Sequence, residues 1–201
     1  MVPSSDNRAQ EETQAIEAVL AGDREAYTLL VQRYQGPLYR YLLRMLRRPA
    51  AAEDAAQEAF LRAYLSLSSY DSTYRFSTWL FRIATNLTLN RIKAEKRLTS
   101  LEKLQEYPDG ARREFPDQSA DCKPELKAER QELCKVVRAC IDQLPPAYRS
   151  VVVLRHLLDL SYQEIADCME LPINTVRSRL HRGRERLGEC LEESLPEEDR
   201  L

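Results

Sequence analysis

The densest run of chemically capable residues is Leu160-Ser161-Tyr162-Gln163-Glu164-Ile165-Ala166, followed closely by Leu171-Pro172-Ile173-Asn174-Thr175-Val176-Arg177-Ser178-Arg179. Ser161 and Glu164 have the spacing at which a hydroxyl and a carboxylate satisfy each other's unpaired amides at the start of a helix. Met169 to Pro172 breaks that helix, and a second one, read over about 174–193, places Val176, Leu180, Gly183 and Leu187 along one inner stripe. Thr175 then stands at its start, and Arg177, Ser178, Arg179, His181, Arg182, Arg184 and Arg186 point partly or wholly outward. Arginine's planar fork holds a phosphate, or guanine O6 and N7 together, with ~1–3 kcal/mol of discrimination per good pair. A short helix, a tight turn and a basic helix, with small Ala166 where the two approach, predict a helix-turn-helix reading the DNA major groove. The competing reading, a solvated basic face paired with the acidic tail, accounts for the arginines but not for the cap and the turn.

A second constellation runs from Tyr70 to Arg97. Tyr70, Asp71, Tyr74 and Arg75 lie in a polar, turn-rich loop, followed on a helix by Arg82, Asn86, Asn90, Arg91, Lys93, Lys96 and Arg97. Aromatic faces beside basic and amide groups suit unstacked bases and their backbone. Phe76 and Trp79 are at core spacing and read as packing residues, which leaves Tyr70 and Tyr74 as the stacking candidates. A third stretch, Glu53 to Tyr64, presents an acidic and amide-bearing face that is either plain solvated helix or a surface for a protein partner.

These residues need helices to hold them. With only 5 Gly in 201 residues and 31% charged residues, the chain reads as all-α. Helices are expected over about 11–21, 24–47, 50–67, 76–95, 125–142, 147–158 and 161–169, then the last over 174–193. Asp23 caps the second, and Pro37 predicts a kink or break within it near Gly36-Pro37. Apolar periodicity fades after Leu98 while Pro108, Gly110, Pro116 and Pro124 accumulate, which divides the chain. The reading is a four-helix domain over 11–97, a flexible linker over 98–127, a helix-turn-helix domain over 128–193 and an acidic tail over 194–201.

The formal net charge of −2 hides a segregation: Arg75–Arg97 carries +5, Asn174–Leu187 +4 and Gly188–Leu201 −5. The longest aliphatic run, Val151–Leu154, is too short to span a membrane, and the N-terminus lacks a signal pattern, so a cytoplasmic protein is expected. Two histidines, no phosphate loop and no hydrolase or metalloprotease motif argue against an enzyme, a metal site or a cofactor. Cys122, Cys134, Cys140, Cys168 and Cys190 are odd in number and form no Cys-x-x-Cys pair, so neither zinc nor a disulfide framework is expected. A redox role for Cys122, Cys134 or Cys140 is the alternative to ordinary packing.

Glu53-Asp54-Ala55-Ala56-Gln57-Glu58-Ala59-Phe60 resembles region 2.2 of the extracytoplasmic-function (ECF) sigma factors. Phe76-Ser77-Thr78-Trp79-Leu80-Phe81-Arg82-Ile83-Ala84-Thr85-Asn86 resembles regions 2.3–2.4, and Leu160–Leu187 is similar to region 4.2. The resemblance implies docking on core RNA polymerase, at the beta-prime clamp through Asp54, Gln57, Glu58 and Leu61 and at the beta flap. It implies capture of a flipped base of the promoter −10 element by the loop at Tyr70–Arg75, with Arg82, Asn86 and Asn90 nearby. It also implies −35 reading by Thr175, Arg177, Ser178, Arg179, His181 and Arg182, and restraint by an anti-sigma factor. The loop sequence is idiosyncratic, so base preference does not transfer. No long acidic N-terminal extension or middle domain is present, as expected of a two-domain alternative factor. The competing reading is a stand-alone helix-turn-helix regulator whose first domain senses or dimerises, an arrangement that leaves the aromatic loop and basic Asn/Arg helix unexplained.

Overall fold

The computed structural model describes residues 5–102 and 124–194. They form α1 (Ser5–Leu20), α2 (Tyr27–Leu46), α3 (Pro49–Leu65), α4 (Phe76–Glu102), α5 (Pro124–Gln143), α6 (Pro146–Leu157), α7 (Tyr162–Met169) and α8 (Ile173–Ser194). A single 3-10 turn, Leu67–Ser69, lies between α3 and α4, and no strand occurs among the described residues. Of the linker read over 98–127, residues 98–102 belong to α4 and 124–127 to α5; the rest of it, 103–123 with Cys122, and the acidic tail beyond Ser194 lie outside the described residues.

The first four helices follow from local chemistry with two exceptions. Asp23 accepts the amides of Glu25 and Ala26 at 3.0 and 3.4 Å, as a capping carboxylate does, but Arg24–Ala26 form a turn and the helix proper begins at Tyr27. Of the kink or break read at Gly36-Pro37, the break does not occur: α2 runs through Pro37 without interruption. Leu30 before it and Leu38, Tyr41 and Leu42 after it are all fully buried. Breaking the helix would expose one side of that face, at ~1.5–3 kcal/mol per large side chain, which outweighs the ~3 kcal/mol cost of a helical proline. The helix ends on Arg47 in the left-handed conformation, and Pro49 opens α3 in the first turn, where its missing N–H costs nothing. Along α3 the buried residues are Ala52, Ala55, Ala59 and Ala63 with Phe60, a small-residue stripe that lets α2 lie close. The helix α4 buries Phe76, Trp79, Leu80, Phe81, Ala84 and Leu87, and extends to Glu102, past the end expected from periodicity.

In the second unit, α6 and α7 pack on α8. Four successive residues of α6, Val151 to Leu154, are all buried, so this turn of the helix is apolar and covered on every side. Its position explains this: α8 covers one side and α2 and α4 of the first unit cover the other. The two units therefore pack together, with α4 along α7 and α2 against α6. Arg149, only 4% exposed, ties the joint. Its guanidinium donates to the Met45 carbonyl of α2 at 3.0 Å and to the carbonyls of Asp142 and Leu144, at the end of α5, at 2.9 and 2.8 Å. Burial, then the nearby Arg47 charge, lowers its pKa to about 10, which still leaves it charged at neutral pH.

The cysteines depart from the sequence reading: Cys140 of α5 and Cys190 of α8 are joined in a disulfide, with Cα atoms 5.7 Å apart. Parity and local spacing carry no trace of it, because packing of α5 on α8 brings together residues 50 positions apart. Among the described residues, Cys134 and Cys168 are free thiols.

Candidate nucleic-acid interface

The entry to the helix-turn-helix is fixed by reciprocal hydrogen bonds. The Glu164 N–H donates to Ser161 Oγ at 3.2 Å, and the Ser161 N–H donates to Glu164 Oε2 at 2.8 Å. The turn is made by Glu170 in the left-handed conformation, with its N–H on the Ala166 carbonyl. Pro172 then starts α8, its carbonyl accepting from the amides of Thr175 and Val176. Val176, Leu180 and Gly183 are buried. A Cβ on Gly183 would lie 2.8 Å from Val152 Cγ2, so α8 approaches α6 as closely as only glycine permits. That close seat orients the opposite face: Arg177, Ser178, His181 and Arg182 are exposed, while Thr175 and Arg179 are half-buried at its margin. Among the described residues, the contacts of the exposed row are local. Ser178 Oγ donates to the Thr175 carbonyl at 3.0 Å, Arg177 lies 3.5 Å from Asn174 Oδ1, and His181 Nε2 lies 3.6 Å from Glu185. Arg186 points elsewhere, over the Tyr148 ring.

The loop before α4 is internally braced. Asp71 accepts the Thr73 N–H at 2.9 Å, which holds its carboxyl below the usual carboxylate range, and the Tyr70 hydroxyl donates to the Tyr74 carbonyl at 2.6 Å. Tyr70, read as a stacking candidate, has its ring against Phe76 and Trp79 at 5.8 and 5.3 Å, and burial pushes its hydroxyl up to about 12. Tyr74 is 46% exposed and is the more available ring. Arg75, Asn86 and Asn90 are exposed and Arg82 is half-buried.

The structure also brings the loop and the helix-turn-helix face to face. Arg75 pairs with Glu164 at 3.5 Å and Arg82 with Glu170 at 3.6 Å, while Thr85 Oγ1 lies 3.8 Å from Cys168 Sγ. Between them is a cleft of about 480 Å³, with Asp71, Tyr74, Trp79 and Arg82 on one wall and Asp167 and Glu170 on the other. Sequence reasoning missed this pairing, since neither glutamate carries a local signal beyond the cap and the turn.

The third surface is on α3. Asp54 and Gln57 are exposed, and Leu61 is 58% exposed. Glu58 accepts from Arg91 of α4 and Arg62 of its own helix, and these hydrogen bonds, Arg91's first, hold its carboxyl below the ordinary range. Arg91, read with the basic helix, is thus turned toward α3. Leu65, 71% exposed and one turn beyond Leu61, completes an apolar strip that the sequence reading passed over. Its signal was the four-residue spacing from Leu61.

An all-helical pair of units, one carrying a helix-turn-helix and the other an aromatic loop and a polar helix, defines a two-part DNA-binding transcription factor. The Sigma-70 region 2 family model matches residues 30–98, and the Sigma-70 region 4 model matches 134–187. The ECF RNA polymerase sigma factor SigW of Bacillus subtilis is 39% identical over 88% of this chain and 94% of its own. The ECF RNA polymerase sigma-E factor of Escherichia coli is 37% identical over 85% and 88%. In fold, the chain resembles the sigma factor RpoE solved with the anti-sigma factor NepR from Bartonella quintana, with a TM-score of 0.66, 19% identity and coverage of 84% of this chain and 98% of that one. CnrH, solved with the cytosolic domain of CnrY, gives a TM-score of 0.63 at 22% identity, covering 93% and 98%. The chain belongs to the ECF sigma factors of the sigma-70 family, which are transcription initiation factors and not enzymes. No helix among the described residues is long and apolar enough to cross a membrane.

Proposed function

We propose that this sigma factor, working in the cytoplasm, docks on core RNA polymerase through the α3 face of Asp54, Gln57, Glu58 and Leu61, and that its α5–α8 unit engages the beta flap. The loop Tyr70–Arg75, with Arg82, Asn86 and Asn90, engages the −10 element, and the row Thr175, Arg177, Ser178, Arg179, His181 and Arg182 reads the −35 element. The observation that carries this reading is the row on α8: a glycine-seated helix, following the capped α7 and its turn, presents Arg177 and Arg182 outward, with local side-chain contacts among the described residues. Leu65 extends the polymerase-docking strip. An anti-sigma protein restrains the factor, a reading supported by the structural neighbour RpoE, which was solved with the anti-sigma factor NepR.

Binding and transcription with purified core RNA polymerase test the reading. Wild type starts transcripts at discrete promoter sites. Gln57→Ala/Glu58→Ala loses core binding, and Arg177→Ala/Arg179→Ala keeps core binding while promoter affinity falls about 10- to 100-fold, with a shallower salt dependence. A protein that binds duplex DNA alone and never associates with core would instead be a stand-alone regulator.

A further inference from the structure

The disulfide between Cys140 and Cys190 stands apart from everything the DNA-reading function uses. It joins the last turn of α5 to the far end of α8, away from Thr175 and the exposed row. Cys140 is 1% exposed whereas Cys190 is half-buried at the surface, so one sulfur is open to exchange and the other waits behind it. The Ser194 hydroxyl lies 3.8 Å from the first and 4.0 Å from the second, close enough to donate to either sulfur as a thiolate. Cα atoms 5.7 Å apart let the bridge open and close without moving either helix. Two residues after Cys140 comes Asp142, whose carbonyl is one of the three that Arg149 ties to the joint with α2.

We propose that Cys140 and Cys190 are a reversible thiol–disulfide site that fixes the end of α5, and with it the Arg149 joint, when the cell's thiols become oxidised. The compartment argument rests on the cytoplasmic reading above: reduced glutathione and thioredoxin keep most thiols there reduced, and disulfides that form there are mainly sensing or catalytic. The oxidant is a low-molecular-weight disulfide. The Cys190 thiolate attacks one of its sulfurs, forming a mixed disulfide and releasing one thiolate; the Cys140 thiolate then displaces the second. The two protein thiols are oxidised, the small disulfide is reduced to two thiols, and the protons of Cys140 and Cys190 end on those thiols. Cys168, beside Thr85, has no such access: it is fully buried, and burial pushes its thiol up to about 12.

The full-length reduced protein is exposed to oxidised glutathione, its remaining thiols are alkylated, and its peptides are mapped by mass spectrometry. The expected product lacks two hydrogens, yields a cross-linked peptide pair containing Cys140 and Cys190, and reverts with dithiothreitol. Closing a loop of 50 residues raises the melting temperature of the α5–α8 unit by roughly 10 °C or more. Cys190→Ser leaves Cys140 reduced and removes that rise, while its reduced-state melting matches that of reduced wild type. A bridge mapped to Cys122 or Cys134, a glutathione that remains on Cys190 unreleased, or a bridge without a rise in melting temperature overturns the proposal. Peptide mapping and melting do not depend on polymerase or promoter binding, so this result and the function test fail separately.

Discussion

Glu58 receives two arginines, one from its own helix and one from α4, and so serves as a structural tie between helices as well as part of the face proposed for polymerase docking. Its carboxyl is depressed below the ordinary value of 4.5, chiefly by the Arg91 hydrogen bond. A carboxyl whose folded pKa is lowered contributes stability above its unfolded pKa and loses it as pH falls through the folded one. Glu58→Gln is therefore expected to be less stable than wild type at pH 7, by up to about 1 kcal/mol because the pair is partly exposed. The gap should close as pH drops below 4.5, measured by urea unfolding at a series of pH values. A gap that persists in acid would mean that packing of the side chain, not its charge, links α3 to α4. At this scale the sequence was legible where the partner was local, as with Ser161 and Glu164, and not where it lay on another helix, as with Glu58 and Arg91 or Cys140 and Cys190.

Among the helices, α2 is where local propensity and tertiary packing disagree. A proline that forbids one backbone hydrogen bond is carried inside the helix by the buried face on either side of it. Pro37→Ala is expected to restore that bond and raise stability by about 1 kcal/mol, seen as a higher thermal midpoint. An unchanged or lower midpoint would show that the half-buried ring contributes packing equal to the bond it removes. The helix-turn-helix, by contrast, was readable almost residue by residue, because its cap, its turn and its inner stripe are all encoded within thirty residues or so of chain. The length of α4 was not, since Lys93 to Glu102 continues as helix with little apolar periodicity to announce it.

At the level of the whole molecule, the surfaces proposed for the two promoter elements are not equally open. The α8 row is exposed, whereas Arg75 and Arg82 face Glu164 and Glu170 across the cleft. Binding of a −10 strand in that cleft would require α7 to move away from α4. Glu164→Gln/Glu170→Gln keeps the capping geometry while removing both charges, and is expected to tighten binding of single-stranded −10 DNA by about three- to tenfold, most at low salt. Fluorescence anisotropy at two ionic strengths measures this; equal affinities would show that the glutamates do not compete with the strand. None of this packing could be read from the sequence. Arg149 carries no local sign of its role, and the Met45 carbonyl to which it donates is about a hundred residues away.

The apolar turn at the middle of α6 has a thermal consequence. Val151 to Leu154 are buried by α8 on one side and by α2 and α4 on the other, so separating the two units hydrates hydrocarbon that the closed form keeps dry. Hydrating apolar surface raises heat capacity, and the attraction that drives its burial weakens on cooling. The balance between closed and separated units is accordingly a function of temperature as well as of partners, with cold loosening the joint that Arg149 ties.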